Sequence, residues 1–128
     1  MKRDWEVEFH PAFDPEFDAL ELTVQDELFA QVKFLEAYGP TLGRPRVGTL
    51  KGSRHANMKE LRFAVAGGVW RIAFAFDPVR KAILLVAGDK SGVGEQRFYQ
   101  QLIKKADHRF DLHLDWLKAD RRTRRWVH

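Results

Sequence analysis

The sequence predicts an α+β domain in which an N-terminal strand and two helices precede a mostly antiparallel sheet and a C-terminal helix. Two apolar runs, at residues 61–65 and 69–76, flank a Gly-Gly pair, which is typical of a tight hairpin. A third run follows at 82–87, after Asp77-Pro78 supplies a second turn. Helical patterns lie on both sides of these strands, and the order β-α-α-β-β-β-α predicts helices on one face of the sheet.

The N-terminal elements follow from side-chain alternation and from residues that start or end helices. Residues 5–9 alternate apolar and acidic side chains, as expected for a half-buried strand. Asp14-Pro15 suits the cap and first position of a short helix that runs to about residue 22. Thr23 and Asp26 have the spacing of a capping box before a second helix, which is expected to end at Gly39.

The second half of the chain is expected to be irregular at 47–57 and helical again from Gly94 or Glu95. We interpret residues 1–115 as one domain and residues 116–128 as a basic C-terminal tail. The tail is expected either to be disordered or to continue the last helix.

The predicted hairpin concentrates positive charge on one face of the sheet. With Gly67 and Gly68 as its loop, Arg62 and Arg71 become diagonal neighbours on a shallow floor of small residues. Like charges at this separation repel each other unless they have anionic partners. Glu60 on the same face is one candidate, and a polyanion with phosphates about one strand spacing apart is the other. The opposite face is the predicted core, formed by Leu61, Phe63, Val65, Trp70, Ile72 and Phe74.

Composition and charge bound the kind of protein and its partners. With 128 residues the chain can bury one core, and with no cysteine it has neither disulfides nor thiolate metal ligands. We expect a cytoplasmic protein without membrane association, because no apolar run approaches the ~20 residues of a membrane span. Residues 1–38 carry a net charge of −7 and the remainder +11. This asymmetry indicates a basic working surface whose partner is nucleic acid or an acidic protein.

Basic side chains gather around one predicted face and its edge, in a pattern suited to cutting RNA. RNA can be cleaved by its own 2′-hydroxyl when a base, a proton donor and cations around the phosphorane are supplied, without a metal. Neighbouring cations lower the pKa of an ammonium group, so a lysine is the predicted base or acid. No metal site or cofactor is predicted, since the glycines form no phosphate loop and the histidines no ligand set. The basic cluster consists of Lys51, Arg54, His55, Lys59, Arg62, Arg71 and Lys90.

Several short motifs, taken together, resemble the RelE/ParE toxin superfamily and, within it, the HigB-like, phage-derived branch. These are Lys51 before the strand, Glu60-Leu61-Arg62, Trp70-Arg71, and the stretch 84–90 that ends in Lys90. The resemblance covers residues 5–112 and implies a RelE-like fold. It further implies a type II toxin that acts as a ribosome-dependent, metal-independent mRNA endonuclease.

The resemblance also assigns roles to individual residues. Arg62 and Arg71 match the strand arginines that hold the scissile phosphate, whereas Lys51 and Lys90 match basic residues before and after the strands. These four are the implied catalytic residues, and Arg54, His55 and Lys59 are the predicted RNA-binding residues. Ser91 departs from the pattern, because a second lysine often follows Lys90 in the family. The implied partners are a cognate antitoxin of helix-turn-helix type, the ribosome and mRNA.

Two other functions stay open at the level of sequence. One is a gyrase-binding toxin like those of the ParE branch, without nuclease activity. The other is a catalytically inactive RNA- or DNA-binding domain. Arg62 and Arg71 favour the nuclease, because a toxin that only binds protein does not need clustered cations on that face.

Overall fold

The computed structural model describes residues 5–65, 67–90 and 92–126, with side chains through Arg121. Its centre is a five-stranded sheet in which the first strand pairs parallel with the fifth and the other neighbouring strands pair antiparallel. The predicted α+β fold class is confirmed. In chain order the elements are β1 (Glu6–Phe9), α1 (Phe13–Asp18), α2 (Leu22–Tyr38), a 3₁₀ turn (Gly39–Thr41), β2 (Val47–Thr49), β3 (Lys59–Val65), β4 (Gly68–Phe76), β5 (Lys81–Asp89) and α3 (Glu95–Trp126).

Helices cover both faces of the sheet, whose strand order is β1-β5-β4-β3-β2. On the first face, here called the α2 face, α1 and α2 pack against residues such as Leu61 and Phe74. On the second, the α3 face, α3 packs against Ala73 and Ile83. The prediction that the helices share one face is therefore wrong. β4 and β5 are apolar on both sides, which is the pattern of a doubly covered sheet.

A β-bulge helps to build the core under α3. The pairing of β4 with β5 shifts between Ala73 and Phe74, so that Ala73 pairs with Val86 and Phe74 with Leu84. The residue between these partners, Leu85, is left over, and both Leu85 and Val86 join the core of the α3 face. A bulge of this kind re-aims side chains without ending the strand.

The hairpin between β3 and β4 has the predicted faces but a different register. Gly68 belongs to β4 and pairs with Val65, so the predicted Gly67-Gly68 loop is displaced by one residue. Gly67 alone of this pair takes a positive φ, of 81°. Because the pairing moves by two positions, each side chain keeps its face. Arg62 and Arg71, however, become direct cross-strand partners instead of diagonal neighbours.

The N-terminal elements begin differently from their predicted starts. α1 begins at Phe13, before Asp14-Pro15, and no side-chain cap bonds to it. α2 begins at Leu22 after Glu21, also without a side-chain cap, so the predicted capping box is wrong. α2 does end at Gly39, whose φ is +54°, and a Cβ there would lie 2.2 Å from the Trp5 indole nitrogen. The stretch expected to be irregular contains the short edge strand β2.

The C-terminal tail continues the last helix, which was one of the two alternatives. α3 runs without interruption through Trp126, and residues 127–128 lie outside the described part of the chain. Among the described helices, none is long and apolar enough to cross a membrane.

Candidate functional site

A groove of about 570 Å³ lies on the α3 face, between the loop that follows β2 and the N-terminal half of α3. We call it the α3 groove. The loop side consists of Lys51, Gly52 and Arg54, so two cations face the helix across the groove. Basic side chains that converge in a cleft raise the local concentration of anions. The helix side consists of Gln96, Tyr99, Gln100, Ile103, Lys104 and Asp107.

Tyr99 connects the α3 groove to two buried charged side chains of the sheet. Its hydroxyl accepts a hydrogen bond from Arg71 Nε at 2.6 Å and donates one to Glu60 Oε1 at 2.9 Å. Arg71 Nε also lies 3.7 Å from Glu60 Oε1, and Arg71 Nη1 donates to the carbonyl of Val69 at 3.3 Å. Arg71 is only 5% exposed and Glu60 9%. A buried ion pair is thus bridged by a hydroxyl group of a residue that lines the groove.

The hairpin register explains why Glu60 partners Arg71 and not Arg62. Glu60 pairs with Ala73 and Arg62 pairs with Arg71. Glu60 and Arg71 are therefore diagonal neighbours on one face, which is within reach of long side chains. Arg62 lies at the exposed part of β3. The predicted exposed floor is accordingly wrong for Arg71, because α3 covers it.

The environment of Tyr99 keeps its hydroxyl protonated. Burial is the main cause that raises the pKa of Tyr99, and the hydrogen bond to Glu60 raises it further. The hydrogen bond from Arg71 lowers the pKa. A phenol of raised pKa holds its proton through the neutral pH range and can give it up only to a strong base, such as a departing alkoxide. Tyr99 therefore stays a neutral hydrogen-bond donor and acceptor at neutral pH.

A close approach of α3 to β5 positions Tyr99. The ring of Phe98 lies against Gly88, where an added Cβ would be 2.8 Å from the ring. Gly88 pairs with Arg71 in the sheet, so the close approach of the helix lies at the strand position next to the arginine. A glycine at this position lets the turn that carries Tyr99 reach the ion pair.

Two aspartates of α3 hold the loop wall of the groove. Asp107 accepts a hydrogen bond from the hydroxyl of Ser53, and its second oxygen accepts one from the backbone N–H of Arg54 at 3.0 Å. Asp111 bonds to the Arg54 guanidinium and to His55 Nε2, the latter at 2.7 Å. The hydrogen bond with His55 is the main cause that lowers the pKa of Asp111. These bonds keep the loop at a set distance from the helix.

The structure brings together some of the predicted site residues. Lys51 and Arg54 line the α3 groove, and Arg71 reaches it through Tyr99. Arg62 lies beside Arg71 in the sheet, because the two pair directly. Lys90 lies just past the end of β5, two residues after Gly88, the β5 partner of Arg71. Lys90 forms an ion pair with Glu95 at 3.1 Å.

The other two predicted RNA-binding residues lie apart from the groove wall. His55 is half-buried, its ring edge-on against Phe110 at 5.0 Å and bonded to Asp111. Lys59 pairs with Phe74 in the ladder, and strand alternation places it with Leu61 on the α2 face. The prediction that groups Lys59 with the face of Arg71 is therefore wrong, because its ladder partner Phe74 is three positions from Arg71 and points to the other side of the sheet.

The sequence analysis names only Glu60 or a polyanion as partners of the strand arginines, and so it misses Tyr99 as the partner of Arg71. A signal existed, because a glutamate and an arginine on a sheet face that a helix covers both need polar partners. That signal becomes visible only once α3 is known to cover the arginine face.

Two further pairs of ionisable side chains lie on the α3 face. His113 Nε2 lies 2.8 Å from Asp77 Oδ2, and Arg109 bonds to Glu16 at 2.6 Å and to the carbonyl of Leu85 at 2.7 Å. The Arg109 hydrogen bond lowers the pKa of Glu16. Among residues 5–65, 67–90 and 92–126, no group of three or more His, Cys, Asp or Glu gathers to hold a metal ion.

A two-faced α+β sheet with a basic groove over a buried Arg–Tyr–Glu cluster suggests the class of small toxins that the sequence resembles, and comparison with known proteins supports it. Residues 15–111 match the family described as "Phage derived protein Gp49-like". The chain belongs to this phage-derived family, and its relatives are HigB-like toxins.

Two relatives from Mycobacterium tuberculosis are similar over most of this chain. "Putative toxin HigB2" is 45% identical over 109 residues, which cover 84% of this chain and 54% of that protein. "Putative toxin HigB3" is 43% identical over 110 residues, which cover 86% of this chain and 91% of that protein. The chain thus spans about half the length of the first relative and nearly all of the second. No solved structure is significantly similar to the chain.

Proposed function

We propose that this protein is the toxin of a type II toxin–antitoxin system and that it stops translation by cutting mRNA on the ribosome. The observation that carries the proposal is Tyr99, which lines a cationic groove and whose hydroxyl is hydrogen-bonded to buried Arg71 and Glu60. The names of the relatives support the toxin class. The endonuclease activity rests on the geometry of the α3 groove.

The proposed reaction uses the 2′-hydroxyl of the RNA as nucleophile. Lys51, acting as a neutral amine, takes its proton and becomes an ammonium group; the 2′-oxygen attacks the adjacent phosphorus, and the bond from phosphorus to the 5′-oxygen breaks. Tyr99 turns its hydroxyl hydrogen from Glu60 to the departing 5′-oxygen and gives up this proton. Arg71 Nε then donates its hydrogen bond to a phenolate instead of a phenol, which is a stronger, charge-assisted bond. Arg71 therefore contributes more to the transition state than to the resting enzyme.

The other basic residues are assigned to phosphates. Arg54 and Lys104 on the groove walls contact the strand next to the cleavage point. Arg62, which pairs with Arg71 on β3, and Lys90, which follows β5, contact the scissile phosphate or its neighbour. His55 and Lys59 remain predicted RNA contacts, farther from the groove.

The proposed partner in the cell is an antitoxin of helix-turn-helix type. To inhibit the toxin it must close the α3 groove or displace α3, since Arg71 and Tyr99 are both held beneath that helix. We expect its contact surface to be acidic, because the groove presents Lys51, Arg54 and Lys104.

The proposal is tested by expressing the protein alone and following macromolecular synthesis by pulse labelling. Methionine incorporation is expected to fall before thymidine incorporation, because mRNA loss stops translation first. If thymidine incorporation falls first and gyrase-linked DNA breaks appear, the protein is a gyrase-directed toxin. If neither falls in the wild type, it is not a toxin of either kind.

A further inference from the structure

The net positive charge of the protein lies entirely in its last 13 residues. Residues 1–115 contain equal numbers of acidic and basic side chains, whereas residues 116–128 contain five bases and one acid, and so carry the whole +4. No described residue after Leu114 belongs to either core. A helix that continues beyond the core with all of the net charge is placed to hold a polyanion.

This basic segment lies on the same side of α3 as the α3 groove. The helix wall of the groove consists of residues 96, 99, 100, 103, 104 and 107, which follow the three- and four-residue spacing of a single helix face. Continuing that spacing leads through residues 111 and 114 to Lys118 and Arg121, both of which are exposed. The sequence keeps the spacing to another arginine at position 125.

The acids on or near this face do not interrupt it. Asp107 and Asp111 are already bonded to the groove loop through Ser53, Arg54 and His55. Asp115 falls at the border of the face, and Asp120 falls on the opposite side of the helix.

The length of the face fits a strand of RNA. Lys118 lies 19 residues after Tyr99, which is about 28 Å along the helix at ~1.5 Å per residue. At ~3.4 Å per nucleotide of a stacked strand, this distance corresponds to about eight nucleotides. An RNA strand that is cut beside Tyr99 could therefore extend along the surface of α3 to the basic segment.

We propose that the C-terminal third of α3 is an RNA-binding track that extends the α3 groove, in which Lys118 and Arg121 hold phosphates about eight nucleotides from the cleavage point. The inference rests on the proposed function for the identity of the ligand. Its chemistry is that of an RNA backbone, which either the mRNA itself or an exposed strand of ribosomal RNA can supply.

The test measures binding of uncleavable 2′-O-methyl RNA by fluorescence anisotropy. We compare the full chain with the double variant Lys118→Glu/Arg121→Glu. The matched control is Lys33→Glu/Arg44→Glu, which changes the charge equally at two exposed sites away from α3. Circular dichroism checks that all three proteins are folded.

For an RNA of about 16 nucleotides, long enough to fill the track at ~3.4 Å per nucleotide, the α3 variant is expected to bind at least about tenfold more weakly. Its salt slope should fall by about 1.4, since each phosphate contact to a single strand contributes ~0.7. For an RNA of about four nucleotides, which fills only the groove at the same rise, the variant should equal the wild type. The control variant should equal the wild type with both RNAs.

Binding to ribosomes without mRNA distinguishes the two sources of RNA. A loss of ribosome binding in the α3 variant assigns the track to ribosomal RNA, and a loss only with the long oligonucleotide assigns it to mRNA. Unchanged binding in both assays overturns the inference. Displacement of the RNA from the wild-type protein by polyglutamate, added at the same concentration of negative charge, also overturns the inference, because it would assign the segment to an acidic protein. Because no step requires cleavage, a track without nuclease activity would contradict only the proposed function.

Discussion

The two faces of the sheet differ in what they bury. The α2 face buries a cluster of apolar side chains such as Leu28, Leu61 and Phe74, and the buried polar residue described beside α2 is the uncharged Gln31. The α3 face buries Glu60 and Arg71 together with other ionisable side chains. One face of the same sheet is therefore an ordinary core, and the other combines a core with a charged site.

This difference indicates where function constrains the sequence. A buried ion pair contributes little to stability, and apolar residues of similar volume often serve as well. The charged groups under α3 are nonetheless fully bonded, since no described buried side-chain nitrogen or oxygen lacks a hydrogen-bond partner. The pair of Glu60 and Arg71 lies beside Tyr99, a residue of the α3 groove, and we attribute its presence there to the proposed chemistry of Tyr99.

The largest effect is expected from a cavity on the α2 face. Leu28 is fully buried, so Leu28→Ala should lower the free energy of unfolding by about 2.7–5 kcal/mol. Urea denaturation measures this loss. Cleavage per folded molecule should stay at the wild-type level, because no groove residue moves. A specific loss of cleavage in this variant would show that the two faces are not separable.

A somewhat smaller effect is expected on the α3 face from removing one charge. Arg71→Ala should lower the free energy of unfolding by about 3 kcal/mol, because it leaves Glu60 buried without its cation. The double variant Arg71→Ala/Glu60→Gln should recover part of this loss. A double-mutant cycle would then give a coupling of at least ~0.5 kcal/mol. Simple additivity would mean that Glu60 and Arg71 do not act as a pair.

The smallest effect concerns pH. Burial, followed by Arg109, lowers the pKa of His10 below its ordinary value of 6.5. The unfolded state therefore binds this proton more readily, and the free energy of unfolding should decrease as pH falls below about 6.5 towards the lower folded-state pKa. Between pH 7 and pH 5 the measurement stays above 4.5, the ordinary pKa of the Glu16 carboxyl group. The lowered pKa of Glu16 affects stability only at lower pH.

The matched variant for this measurement is His10→Asn. His10 Nδ1 accepts a hydrogen bond from the backbone N–H of Ala12 at 3.1 Å, and an asparagine oxygen can replace it without titrating. The variant should show a flatter dependence of unfolding free energy on pH. An unchanged slope would show that a group other than His10 causes the loss of stability at low pH.

Much of the fold could be predicted from the sequence, because it follows from local patterns. The three long strands, the end of α2 at Gly39 and the start of α3 at Glu95 all depend on neighbouring residues. The side chains on each face of the hairpin were also predicted correctly, because a shift of two positions in the pairing leaves every side chain on its face. The start of α1 was not, because its first turn begins at Phe13 without a capping side chain.

The candidate site was harder to predict because it depends on packing between distant segments. Arg71 was expected on an open surface, and only the position of α3 makes it a buried partner of Tyr99. Lys59 was grouped with the wrong face. The bulge at Ala73/Phe74, which builds the core under α3, has no marker in the sequence.

The most direct test of the account is the cleavage rate of Tyr99→Phe on programmed ribosomes under single-turnover conditions. Removing the hydroxyl removes the proposed proton donor and leaves the ring in place, so the rate should fall by about 10²–10⁴, with ribosome binding unchanged. Tyr38→Phe is the control, because Tyr38 is exposed and lies at the end of α2. A folded Tyr99→Phe protein that cuts mRNA at the wild-type rate would contradict the assignment of Tyr99 as the acid.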